Sequence, residues 1–159
     1  MMEPSFAKLL VLLAEAQVKF VLVGGLAVTL QGYVRFTEDV DMLIDSSPEN
    51  VNRLLAAMAH YGEGFARELS VDDFTDEEGA IRIVEEIEQC QLDIFTRMSG
   101  RTYQDAIADA DVFPLEGHRI HYASKPSLIA WKEKSVREKD RLDALALRQL
   151  VADPKAFDS

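Results

Sequence analysis

The chain has one cysteine, Cys90, and three scattered histidines, His60, His118 and His121, in 159 residues. A lone thiol closes no internal disulfide, and without a Cys-x-x-Cys pair or ligand spacing among the histidines there is no pattern for zinc. Cys90 reads as a small buried thiol. Long apolar runs are also missing. The longest near the start, Leu9 to Ala14, falls far short of the roughly 20 residues that cross a bilayer, and Glu3 and Lys8 do not fit a signal peptide. The expected compartment is the cytoplasm. Cations are scarce too: 17 Lys and Arg face 28 Asp and Glu, a net charge of −11. Affinity along a DNA backbone comes from cations that neutralise phosphates, so non-specific DNA binding is not expected.

The acidity is unevenly spread. Between Glu68 and Glu88 every charged residue but Arg82 is an acid, whereas Lys125 to Arg148 carries seven cations against Glu133, Glu138, Asp140 and Asp143. That asymmetry turns the C-terminal helices toward phosphate. With 48% hydrophobic residues and no repeat, linker or low-complexity tract, the sequence suits one domain over residues 1–152, followed by a frayed tail at 153–159.

Hydrophobic spacing predicts the elements. Pro4 and Ser5 open a helix that ends near Ala16, and Val18 to Val23 is a short buried strand closed by Gly24 and Gly25. A short helix over Leu26–Leu30 leads to Gly32, a strand covers Asp39–Ile44, and a helix covers Val51–His60. From Tyr61 to Gly79 no period stands out, and a loop with a short strand around Arg67–Val71 is expected. Ile81–Ile87 and Gln91–Thr96 form a hairpin, and Arg119–Tyr122 is the last strand. A helix from about Ser127 continues, with a break near Asp140, through Leu150.

Residues two apart on a strand share a face, so Asp39 and Asp41 project together while Val40, Met42 and Ile44 point into the core. Two carboxylates this close repel unless a cation sits between them, and oxygen ligands without His or Cys favour Mg²⁺ or Mn²⁺. An Asp-x-Asp on a wet sheet face is common, so the context matters. Gly24 and Gly25 follow one apolar strand, where bare backbone can approach a phosphate. Asp93 sits between Leu92 and Ile94 in another apolar strand, a costly place for a charge that is neither paired nor at the strand end.

The run Phe20-Val-Leu-Val-Gly-Gly-Leu-Ala27, followed by Arg35-Phe-Thr-Glu-Asp-Val-Asp-Met-Leu-Ile44, resembles the signature of the nucleotidyltransferase superfamily. The Arg-x-Thr-x-Asp-x-Asp form, with Leu128-Ile-Ala-Trp-Lys132 and Arg137-Glu-Lys-Asp-Arg-Leu-Asp143, is similar to the bacterial AbiEii-like group, which includes toxins of toxin–antitoxin and phage-abortive systems. The resemblance implies an α+β fold, a nucleotidyltransferase-like mixed β-sheet flanked by helices, with C-terminal helices. It implies transfer of a nucleotidyl group from a nucleoside triphosphate to a hydroxyl on an RNA end, a protein or a small molecule, and an antitoxin protein as a partner. On the matching positions Gly24 and Gly25 cradle the triphosphate, Asp39 and Asp41 bind two metals, and Asp93 binds the metal that activates the acceptor. Lys132 reaches the triphosphate. Arg35 and Thr37 either orient the acid-bearing strand and touch phosphate, or are a surface salt link and a turn hydroxyl. Arg137 and Lys139 either fit a solvated helix face, with Glu133–Arg137 and Lys134–Glu138 spaced for ion pairs, or pair with Asp140 and Asp143 and so hold the helix geometry.

Two departures from the pattern stand out: Leu26 follows Gly25 where a small or hydroxyl residue is usual, and no large C-terminal region follows Leu150. Two further readings compete with the enzyme: a non-catalytic nucleotide-binding or regulatory module, and an Asp-x-Asp glycosyltransferase, which lacks its larger nucleotide-sugar domain.

Overall fold

Pro4 at the first helical position starts α1 (Pro4–Glu15), which buries Phe6, Leu9, Leu10 and Leu13. The strand β1 (Phe20–Val23) is buried at all four positions and passes directly into α2 (Gly24–Leu30). In this computed structural model, which describes residues 2–135 and 137–158, β2 (Asp39–Ile44) follows, then α3 (Pro48–Met58) capped by the Ser47 hydroxyl. The hairpin is β3 (Ala80–Glu85) and β4 (Cys90–Phe95), and a small one joins β5 (Arg97–Met98) to β6 (Arg101–Thr102). After α4 (Tyr103–Ile107) come β7 (Asp111–Leu115) and β8 (His118–Tyr122), then α5 (Lys125–Glu133) and α6 (Glu138–Ala152).

Six strands make one mixed sheet in the order β3-β4-β2-β1-β8-β7, flanked by helices as a nucleotidyltransferase-like fold requires. β2 runs antiparallel to β1 and parallel to β4, so the centre of the sheet holds the two acid-bearing strands side by side. Val40, Met42, Leu43, Leu92 and Ile94 are almost fully buried beneath them. Helices α2 and α4 pack against β1 and β2, while α5 packs on α2 and α6. Among the described residues no helix is long and apolar enough to cross a membrane.

Two expectations are corrected, and one strand is added. The strand expected around Arg67–Val71 is instead two single-turn 3₁₀ helices, Phe65–Glu68 and Val71–Asp73. The second is fixed by a reciprocal cap in which the Ser70 backbone N–H donates to Asp73 (2.8 Å). The strand β7 is one that no sequence expectation covers; it accommodates Pro114 because it lies at the sheet edge. The break between the last helices falls before Glu138, and Asp140 sits inside α6.

Candidate active site

All eight residues singled out in the sequence line one cavity of about 280 Å³: Gly24, Gly25, Arg35, Thr37, Asp39, Asp41, Asp93 and Lys132. The strands bring the acids together. Asp41 lies directly opposite Asp93 in the β2–β4 register, and one carboxylate oxygen from each of Asp39, Asp41 and Asp93 lies within 4.8 Å of the others. Burial, then the neighbouring Asp39 and Asp93, pushes the Asp41 carboxyl up to about 7. Burial and Asp93 also raise Asp39. Carboxylates packed this closely and partly withdrawn from water disfavour one another's charged form.

Gly24 completes the wall. Its φ of +68° is left-handed, and a Cβ placed on it would stand 2.1 Å from Asp41 Oδ2. Gly24→Ala is therefore expected to cost about 1–3 kcal/mol in thermal denaturation. It should also displace the Asp41 carboxylate from the other two acids. Gly25 is also close to the next layer, where a Cβ would lie 2.8 Å from Thr37 Oγ1 and 3.0 Å from Arg35 Nη1.

The cations are tied to two acids of α6. Arg35 is no surface link: its Nε and Nη2 donate to Asp143 at 2.7 Å each, with the arginine 14% and the aspartate 1% exposed. Lys132 is buried and bonds Asp140 (3.0 Å) and Asp143 (3.1 Å). Arg137 pairs with Asp140 rather than Glu133, and Glu133 instead receives Arg148. Arg137, Lys132 and the Ser135 hydroxyl hold the Asp140 carboxyl well below the usual range in spite of its burial. Both Arg137 and Lys139 line the cavity. Thr37 Oγ1 donates to the Asp39 carbonyl (3.3 Å), bracing the start of β2.

Sequence reasoning missed several lining or bracing residues. Gln91 Nε2 donates to Asp39 Oδ2 (3.1 Å), and Arg82 grips Asp93 from the neighbouring strand. Both pairings follow from strand register, which the hairpin expectation alone did not fix. A second cavity of about 390 Å³ shares Gly24, Asp41, Phe95, Lys132 and Arg137 with the first and continues over Met98, Leu128 and Trp131. Trp131 is held by its Nε1 donating to the Met98 carbonyl (3.0 Å), with the Arg101 guanidinium 5.6 Å from its ring centre.

Comparison with known proteins agrees with this fold. The solved structure of the lincosamide antibiotic adenylyltransferase LnuA, bound to lincomycin, aligns with a TM-score of 0.64 at 17% identity over 94% of this chain and 98% of that one. An antigenic nucleotidyltransferase-like protein from Paracoccidioides brasiliensis aligns with a TM-score of 0.51 at 13% identity, over 94% of this chain and 78% of that one. At such identities the likeness is one of fold. No curated protein matches in sequence. The model of one family, described as "Nucleotidyltransferase of unknown function (DUF6036)", matches residues 5–145, which hold the glycine pair, all three acids and most of α6, and the chain belongs to that family.

Proposed function

We propose that the protein transfers a nucleotidyl group from a nucleoside triphosphate to a hydroxyl acceptor, with divalent metal held by Asp39, Asp41 and Asp93. The observation that carries this reading is the meeting of three carboxylates beside two glycines in one cavity. The donor set fits Mg²⁺ or Mn²⁺: it is all oxygen, and the mutual repulsion felt at Asp41 is what a doubly charged ion relieves. Such a metal lowers the acceptor hydroxyl's pKa and neutralises charge on the α-phosphate and the leaving pyrophosphate.

The chain's own groups do the rest. Gly24 and Gly25 let the triphosphate lie against bare backbone. An ammonium has three donors, and Lys132 donates one to Asp140 while pairing with Asp143, which leaves donor capacity for phosphate. Arg137 and Lys139 supply further positive charge at the cavity wall. Arg35 and Thr37 keep the backbone before β2 pressed against Gly25, and the Arg35 guanidinium has donor capacity left for phosphate. Asp93 receives the acceptor proton. The larger cavity, with Trp131, Phe95 and Met98 in its wall, suits the base and ribose.

RNA ends, protein hydroxyls and small molecules are the acceptor classes to assay, and LnuA's action on a lincosamide puts small molecules first. A finer reading rests on the Arg35-x-Thr37-x-Asp39-x-Asp41 motif and the C-terminal helices: a cytoplasmic AbiEii-like toxin with an antitoxin partner. The reading as a non-catalytic nucleotide-binding module is favoured by one observation, that Asp93 is already engaged by Arg82.

Equilibrium titration with ATP, GTP, CTP and UTP, with and without Mg²⁺, tests the proposal. Binding is expected only with metal, and Asp39→Asn is expected to weaken it by at least about tenfold. Pyrophosphate release with candidate acceptors should follow. Metal-independent binding, or an Asp39→Asn protein that binds like wild type, rules the assignment out. Metal-dependent binding with no labelled acceptor leaves the module reading standing.

A further inference from the structure

Asp93 differs from its two partners in already holding a cation. Arg82 lies directly opposite it in the β3–β4 register, and its guanidinium donates from Nε to Oδ1 (2.9 Å) and from Nη2 to Oδ2 (3.3 Å). Both oxygens of the carboxylate are therefore engaged on the side facing the fork. The two side chains are unequally placed: Asp93 is 7% exposed and Arg82 61% exposed, on the edge strand of the sheet. A buried acid is thus neutralised by an arginine whose head is largely in water. Asp39 is met instead by a neutral amide from Gln91.

We propose that Arg82 is a displaceable internal counter-ion that occupies Asp93 until metal takes its place. The inference rests on the reading of the three acids as a metal site. A guanidinium brings one diffuse charge to a group of three acids, whereas a divalent ion brings two in a smaller volume. The smaller, more highly charged ion therefore has the stronger attraction at short range. Leaving is easy for Arg82, because an ion pair with one partner in water contributes little. Asp39 and Asp41 are not held in this way, so a first ion binds there with Arg82 still in place. Binding that draws on Asp93 has to break the fork. The consequence is an ordered site in which the acceptor-side acid is the last to be filled. Once released, Arg82 remains at the wall of the same cavity, where it can meet phosphate.

The test is Mn²⁺ binding without nucleotide, followed by electron paramagnetic resonance of free Mn²⁺ and by calorimetry. It compares wild type, Arg82→Gln, Arg82→Lys, Asp93→Asn and Asp39→Asn. With the competitor removed, Arg82→Gln is expected to bind the ion that uses Asp93 about five- to tenfold more tightly than wild type. Arg82→Lys, which keeps the charge and loses the fork, should fall between them. In the Asp93→Asn background, changing Arg82 should have no effect. Equal or weaker Mn²⁺ binding by Arg82→Gln overturns the proposal and makes Arg82 a brace that orients Asp93. If neither wild type nor Arg82→Gln binds Mn²⁺, or Asp39→Asn binds as wild type does, the metal reading itself fails and takes this inference with it.

Discussion

Asparagine at position 41 is expected to reduce nucleotidyl transfer by on the order of 10³-fold and, in the same protein, to raise the melting temperature in the absence of metal. The two effects have one cause. Asp41 lies between Asp39 on its own strand and Asp93 on the next, and burial together with those charges pushes its carboxyl from 3.8 up to about 7. A folded-state value above the unfolded one means that the native protein binds more protons between roughly pH 4 and 7. Native stability therefore falls as pH rises through that window. Asp41→Asn removes the penalty. Its gain should be absent below about pH 4 and complete above about pH 7, reaching about 1–2 kcal/mol, or about 3–6 °C. Differential scanning calorimetry at pH 4 and pH 8 with chelator present measures it. A variant less stable than wild type at pH 8 would show that the acids are not under electrostatic strain.

Asp143→Ala should act in the opposite direction and more strongly. Asp143 is 1% exposed, accepts from Arg35 at 2.7 Å twice and forms an ion pair with Lys132 at 3.1 Å. Truncation leaves two buried cations facing a hole, which costs about 3–5 kcal/mol. Urea unfolding should show this as a lower midpoint, with Asp143→Asn losing less because its amide oxygen still accepts. Because Arg35 packs against Gly25 and Lys132 lines the cavity, triphosphate binding should weaken in parallel. A midpoint within about 1 kcal/mol of wild type would mean that the network is loosely held.

The acid-bearing strands were legible because their signals are local. Asp39–Ile44 alternates acid and apolar side chains until the core takes over, and Asp93 interrupts an apolar run, so period and cost are visible in a few adjacent residues. The α6 interior was not. A search for an apolar stripe selects Leu142 and Leu145, yet these are 52% and 57% exposed, while Asp140 and Asp143 point inward beside Ala144, Leu147 and Leu150. Acids belong on an inner face only when cations meet them there. The partner that settles the matter, Arg35, lies 108 residues away in sequence. Arg82 was hidden for a related reason: a hairpin shifted by one residue would point it away from Asp93.

The β2–β4 register also bears on how the protein can drift over generations. Asp41 and Asp93 sit level on adjacent parallel strands, so the gap between their backbones is the spacing of about 4.8 Å that peptide hydrogen bonding imposes. Repacking the hydrophobic interior cannot tune that gap by small steps. Exchanges among Val40, Met42, Leu92 and Ile94 should wear away folding stability long before they alter catalytic competence, which leaves the interior free to diversify while the chemistry stays fixed.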